Sequence, residues 1–156
     1  MYKRQEIYED IDWPIIVLLA AMIPIGNALT DTGTTALVAN LIRSATEGWQ
    51  GWQIVMLVLV ATMLLSDVIN NAATALVMAP LGIELAEKLS VNPDPFLMAV
   101  AVGASCAFLT PIGHQCNTLV MGPGGYKFGD YWRVGLPLEI VITLVAVPMI
   151  LIFFPL

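Results

Sequence analysis

Two stretches of polar residues interrupt sequence that is otherwise apolar, and they constrain the fold more than any other feature. The first is Ser66-Asp67-Val68-Ile69-Asn70-Asn71, and the second is Thr110-Pro111-Ile112-Gly113-His114-Gln115-Cys116-Asn117. Long runs of Leu, Val, Met and Ala flank both. Polar groups are expensive inside a bilayer and are seldom placed there without a use. Non-helical backbone at that depth survives only where protein buries it or it lines a cavity. The pattern predicts a polar site held inside a membrane.

Composition agrees. The 156 residues are 58% hydrophobic and 12% charged, with a mean hydropathy of +0.83. A soluble domain carries about 25% charged residues, so half the usual charge is missing and several apolar runs imply a polytopic membrane protein. The net charge of −6 lies almost wholly outside those runs and says little about a substrate. No basic patch points to nucleic acid. The first apolar run starts near Trp13, after a hydrophilic start, and lacks the small-residue cleavage site of a secretory signal. Cys106 and Cys116 both fall at expected membrane depth, where cysteines pack more often than they pair. His114 is the single histidine, and the CxxC or HxxxH spacing of a zinc site is absent.

Along the chain, residues 1–12 form an expected cytoplasmic segment, and 13–29 are long enough for a span, kinked by Pro24 and Gly26. A break at 30–33 precedes an interfacial helix over 34–42. Residues 52–65 and 72–85 each cover only about 21 Å at 1.5 Å per residue, against a hydrocarbon core of about 30 Å. The simplest reading of 52–85 is a re-entrant helical hairpin with its tip at 66–71, a linker without Lys, Arg, Pro or Gly. Two full spans joined by an external loop are the alternative. A broken helix is expected over 95–121: apolar helix to 108, unwinding at Pro111 and Gly113, then a further turn from 118. A loop at 122–133 carries the interfacial aromatics Tyr131 and Trp132. The last span is 134–156, with Glu139 near enough to its end to snorkel. Lys3, Arg4, Lys127 and Arg133 on one face outnumber Arg43 and Lys88 on the other, which favours a cytoplasmic start.

A helix carries about half a positive charge at its N-terminus and half a negative charge at its C-terminus. The hairpin and the broken helix each bring one end of each kind to the midplane. If the two elements face each other, N-termini can hold an anion and C-termini a cation, as discontinuous helices do in secondary transporters.

The residues then carry a family resemblance. Residues 66–80, SDVINNAATALVMAP, resemble the second hairpin-tip motif of the divalent anion:sodium symporter (DASS) family. Residues 103–125, GASCAFLTPIGHQCNTLVMGPGG, resemble that family's second broken helix and the loop after it. The similarity continues over 126–137 and more loosely over 13–42. The ending GPGGYKFGDYWRVGLP is most similar to bacterial permeases that also carry TrkA-C-type domains. The resemblance implies an all-α polytopic membrane protein of the elevator type, built from two inverted repeats, usually dimeric, and set in the inner or plasma membrane. This chain matches the second repeat, so a missing N-terminal repeat is an expected partner.

By the same resemblance, Ser66, the Ile69 carbonyl, Asn71 and the Gly113 carbonyl form a sodium site. Asn70, Asn71, His114 and Gln115 face the anion. The family's usual Ser-Asn-Thr tip reads Asn70-Asn71-Ala72 here, which removes a hydroxyl expected to contact a carboxylate. His114 stands where small or hydroxyl residues are common, which points to a different substrate such as sulfate.

Blander roles stand beside these. Asn70 and Asn71 are capable helix caps, and Asn117 and Thr118 are expected to cap the resumed half-helix. Asp67 is either functional or a buried partner for a helix terminus or for His114. The Gly-Pro-Gly-Gly at 122–125 is a turn, since no GK[ST] follows. The expected function is the C-terminal half of a secondary active transporter, not an enzyme. It would move sulfate or a dicarboxylate with Na+ as coupling ion and need no organic cofactor. A proton-coupled or pump-associated exporter of the arsenite type, a membrane-embedded enzyme using Asp67 and His114, and a non-transporting fragment are the alternatives.

Overall fold

The computed structural model describes residues 31–69 and 71–156, together with Val17, Ala20, Ala21, Pro24, Asn27 and Ala28. The expected segment 1–12, most of the expected span 13–29, and Asn70 lie outside the described residues. Those described form helices and connecting turns, with no strand among them. In chain order they are α1 (Thr34–Ala45), α2 (Gly51–Ser66), α3 (Asn71–Leu89), α4 (Asp94–Ala104), α5 (Gln115–Met121) and α6 (Phe128–Phe153).

Local chemistry sets most of the starts. Gln50 N donates to Gln53 Oε1 at 2.8 Å in a reciprocal box that opens α2. Asn92 Oδ1 accepts from Asp94 N at 3.1 Å just before α4. Lys127 N donates to Asp130 Oδ2 at 2.8 Å, and this box opens α6 at Phe128. The last helix therefore begins six residues before the expected span, inside the segment read as a loop.

Helix α6 has 26 residues and is the one described helix long and apolar enough to cross a membrane. At 1.5 Å per residue it reaches about 39 Å, whereas the 16-residue α2 reaches about 24 Å and falls short of a hydrocarbon core. Val134, Leu144, Ile152 and Phe153 lie exposed on its outer side. Apolar surface of that kind is at home against lipid tails.

Helix α4 packs between α2 and α3 and organises the core. Val55, Val58, Leu59 and Met63 of α2, Leu81 and Leu85 of α3, and Phe96 and Ala99 of α4 are buried together. Gly103 sets how closely α4 approaches α2. A Cβ there would lie 2.8 Å from both Leu59 O and Thr62 Cβ, so only hydrogen fits. Val147 and Ile150 bring α6 onto the same core.

Two expectations are corrected. Helix α4 stops at Ala104, not 108, so the interruption covers residues 105–114. Glu139 does not snorkel: it is buried on the inner side of α6, about three turns from the helix start.

Candidate functional site

The site is built from two chain reversals. Helix α2 ends at Ser66, and the N–H groups of Val68 and Ile69 both turn back to Leu65 O, at 3.1 and 2.9 Å. Asn71 then opens α3. In the other element, α4 ends at Ala104 and α5 resumes at Gln115. Unwinding ten residues frees backbone groups that must find other partners.

Side chains supply them. Asp67 Oδ1 accepts from Leu109 N at 2.9 Å, and Thr110 Oγ1 donates to Asp67 O at 2.6 Å. Gly113 N donates to Thr110 Oγ1 at 3.1 Å. Asn117 Nδ2 donates to Ala107 O at 2.8 Å and to Thr110 O at 3.1 Å. Thr118 Oγ1 donates to Pro111 O at 2.6 Å, and Tyr131 OH donates to Asn117 O at 2.7 Å. The unwound segment is thus held in one shape by polar side chains of three elements.

The two reversals meet at Ser66 and Asn71. Ser66 Oγ donates to Ala104 O at 2.8 Å, which joins the C-termini of α2 and α4. Turned as its surroundings require, the Asn71 amide places Nδ2 3.2 Å from Gly113 O, 3.2 Å from Ala104 O and 2.9 Å from Ser66 Oγ. In that orientation Ser66 accepts from Asn71 while donating to Ala104, so both its roles are filled. Gly113 permits the approach: a Cβ there would lie 2.9 Å from Ala107 Cβ, 3.0 Å from Asp67 Cα and 3.1 Å from Ser66 O.

Three of the expected sodium-site residues, Ser66, Asn71 and Gly113, are therefore brought together. Ile69 sits in the turn beside them, partly exposed. Asn70 is outside the described residues, as is the side chain of Gln115, whose backbone begins α5. His114 has a local task. Its Nδ1 accepts from Cys116 N at 3.1 Å and caps α5.

That cap corrects the expectation that Asn117 and Thr118 would serve there, since both instead hold carbonyls of the unwound segment. The Asp67 carboxylate pairs with Leu109 N, not with His114. Sequence reasoning missed the Ala104 carbonyl, for which an alanine gives no signal. It also missed Glu139 as an inward group, although an acid within apolar sequence is itself a signal. Cys106 is buried and Cys116 exposed, and both are free thiols.

The electrostatics follow from the ends that meet. The C-termini of α2 and α4, each with about half a negative charge, meet here, and Ala104 O of α4 faces the Asn71 amide. Three oxygens, Ser66 Oγ, Ala104 O and Gly113 O, lie within reach of the Asn71 amide, an environment suited to a hard cation that takes oxygen ligands. A helix turn and an interrupted helix that exchange their terminal polar groups are the hallmark of membrane transport proteins with discontinuous helices.

Comparison with known proteins gives that class a family. The citrate transporter model CitMHS matches residues 1–156, and the chain belongs to this family. It is 40% identical over 97% of its length to an uncharacterized transporter of Synechocystis, covering 25% of that protein. It is 38% identical over 95% of its length to an uncharacterized transporter of Escherichia coli, covering 24% of it. Sodium/sulfate cotransporter 1 of Chlamydomonas reinhardtii is 31% identical over 86% of the chain, which covers 15% of that protein. The chain thus spans about a quarter of the length of the two bacterial relatives. Family and relatives are transporters, which agrees with the resemblance to anion:sodium symporters and sets the enzyme alternative aside. Membership also places the chain in a membrane.

Proposed function

We infer that this chain is the C-terminal part of a secondary transporter that couples uptake of a small divalent anion to Na+. One observation carries the reading: Ser66 Oγ, Ala104 O and Gly113 O surround the Asn71 amide where two helix C-termini meet. In the orientation its surroundings require, the amide nitrogen satisfies these oxygens. A half-turn of the amide presents Oδ1 instead, and Ser66, Asn71, Gly113 and the neighbouring Ile69 carbonyl become ligands for Na+. Ala104 O is a further candidate. Each charge bound lowers the cost of desolvating the other, which couples ion to anion.

The anion would lie on the other side of the tip, at the N-terminus of α3. That helix has 19 residues and begins at Asn71, so the partial positive charge of its N-terminus lies at the tip. Asn70, Asn71, His114 and Gln115 are the proposed contacts. Sulfate is favoured over a dicarboxylate because Ala72 offers no hydroxyl at the tip and because the algal relatives are named sodium/sulfate cotransporters. The α2–α3 pair would be the re-entrant hairpin of a multi-pass protein in the inner or plasma membrane. It would move with the broken helix as one body, in an elevator-type dimer whose other repeat completes the site.

The test is uptake of labelled sulfate, succinate and citrate, with and without Na+, by cells expressing the whole transporter that contains this chain. Asn71→Ala is expected to abolish Na+-dependent uptake at unchanged membrane expression. Unchanged uptake kinetics in that variant, or flux that follows pH and ignores Na+, would reject the reading.

A further inference from the structure

A cleft of about 390 Å³ opens at the other end of α3 from Asn71, where that helix meets the end of α1 and the start of α2. Asn40, Arg43, Thr46, Glu47, Trp49 and Leu89 line it. Its volume lies in the range of small-molecule sites, about 300–1,000 Å³. None of the proposed sodium or anion contacts borders it.

Its depth follows from α6. Asn92 Nδ2, in the turn between α3 and α4, donates to Pro155 O at 3.2 Å, and Gly51 at the start of α2 lies against the Leu156 side chain. The start of α2 is therefore level with the end of the helix that is long enough to cross a membrane. Residues 46–49 run straight into α2, so the cleft lies at that membrane surface. Trp49 and Trp52 are exposed there, as aromatics at headgroup level commonly are.

Helix α1 has three sides. Val38 and Ile42 pack against the core, Leu37 and Leu41 form an exposed apolar side, and Asn40, Arg43 and Ser44 form a polar one. Arg43 and Glu47 both line the cleft and are both exposed. Neither joins an ion pair among the described residues, where the one such pair is Lys88–Glu84 at 3.2 Å. Glu47 lies past the end of α1 at Ala45, so the helical geometry that would pair it with Arg43 is lost. One positive and one negative group, left apart in a single cleft, complement a zwitterion.

We propose that this cleft holds the headgroup of phosphatidylethanolamine. The Arg43 guanidinium takes the phosphate through its planar fork, and the Glu47 carboxylate accepts from the primary ammonium. The acyl chains run beside Leu37 and Leu41. Phosphatidylcholine fits less well, because its quaternary nitrogen has no N–H to offer Glu47. Phosphatidylglycerol supplies the phosphate but no cation, and leaves Glu47 facing a like charge.

Native mass spectrometry tests this on the whole transporter that contains this chain, purified in detergent and titrated with each of the three lipids. It reads no transport, so its outcome is separate from that of the Na+ reading. Phosphatidylethanolamine should be retained about two- to fivefold better than either of the others, the contribution of one exposed ion pair. Arg43→Gln should weaken its retention by a similar factor, and Glu47→Gln should abolish the preference over phosphatidylglycerol. Both side chains are exposed, so the variants should keep the wild-type unfolding midpoint by circular dichroism. Equal retention of the ethanolamine and choline lipids by the wild type overturns the proposal, and that comparison needs no variant. Unchanged retention in Arg43→Gln, or a preference that survives Glu47→Gln, overturns it as well.

Discussion

Gly113→Ala puts the contact between the α2–α3 turn and the unwound segment under direct strain. The new Cβ would meet Ala107 Cβ at 2.9 Å, Asp67 Cα at 3.0 Å and Ser66 O at 3.1 Å. None of these is the far end of a flexible side chain, so the backbone itself must shift. Overpacking of this kind costs about 1–3 kcal/mol. Displacing Gly113 O from the Asn71 amide loses a further hydrogen bond worth about 0.5–1.5 kcal/mol. The expected loss is about 1.5–4.5 kcal/mol in all. Backbone strain plays no part, because the positive-φ glycines among the described residues are Gly33, Gly48 and Gly125. Gly122→Ala is the matched control, since a Cβ there meets nothing within 4 Å. Unfolding in detergent micelles, followed by circular dichroism, should separate the two variants clearly. Equal stability of Gly113→Ala, Gly122→Ala and wild type would refute the packing at this contact.

Two other outcomes follow from the geometry. Gly103→Ala, with its Cβ 2.8 Å from Leu59 O and Thr62 Cβ, should push α4 from α2 and cost about 1–3 kcal/mol despite alanine's better helix propensity; the same unfolding assay checks it. His114→Ala removes the cap on α5 and should speed amide hydrogen exchange at Cys116, at a cost of about 1 kcal/mol, while His114→Asn should largely restore protection.

Much of this was legible in the residues, because the signals were local. Short apolar runs around polar stretches announced helices that stop early, and Ser66, Asn71 and Gly113 do share one place. The early end of α4 was not legible. Ser105-Cys106-Ala107-Phe108 is compatible with a helix, and what competes for the backbone there is Asn117 at Ala107 O and, one residue beyond, Asp67 at Leu109 N, 42 positions away in the chain. Such partners leave no periodicity to read. Glu139 shows the same limit: its position within apolar sequence marked it as costly, but only the packing of α6 onto the core decides whether it faces lipid's edge or the interior. The cap on α5 was assigned one turn late, since Asn117 and Thr118 are better cappers by type than His114. Those two side chains were drawn instead to carbonyls exposed by the unwinding. The Lys127–Asp130 box was present in the sequence, yet the aromatics beside it were read as an interfacial loop.

A Na+ titration of the purified chain in detergent, at constant ionic strength against K+, probes the oxygen cluster where it matters. Ligand that binds only the folded state raises stability by about 1.4 kcal/mol per tenfold concentration once its Kd is exceeded. A cation site at Ser66, Asn71 and Gly113 predicts an unfolding midpoint that climbs with Na+ but not with K+, and an increment that disappears in Asn71→Ala. Identical midpoints in the two salts, or a Na+ increment that survives Asn71→Ala, would contradict it.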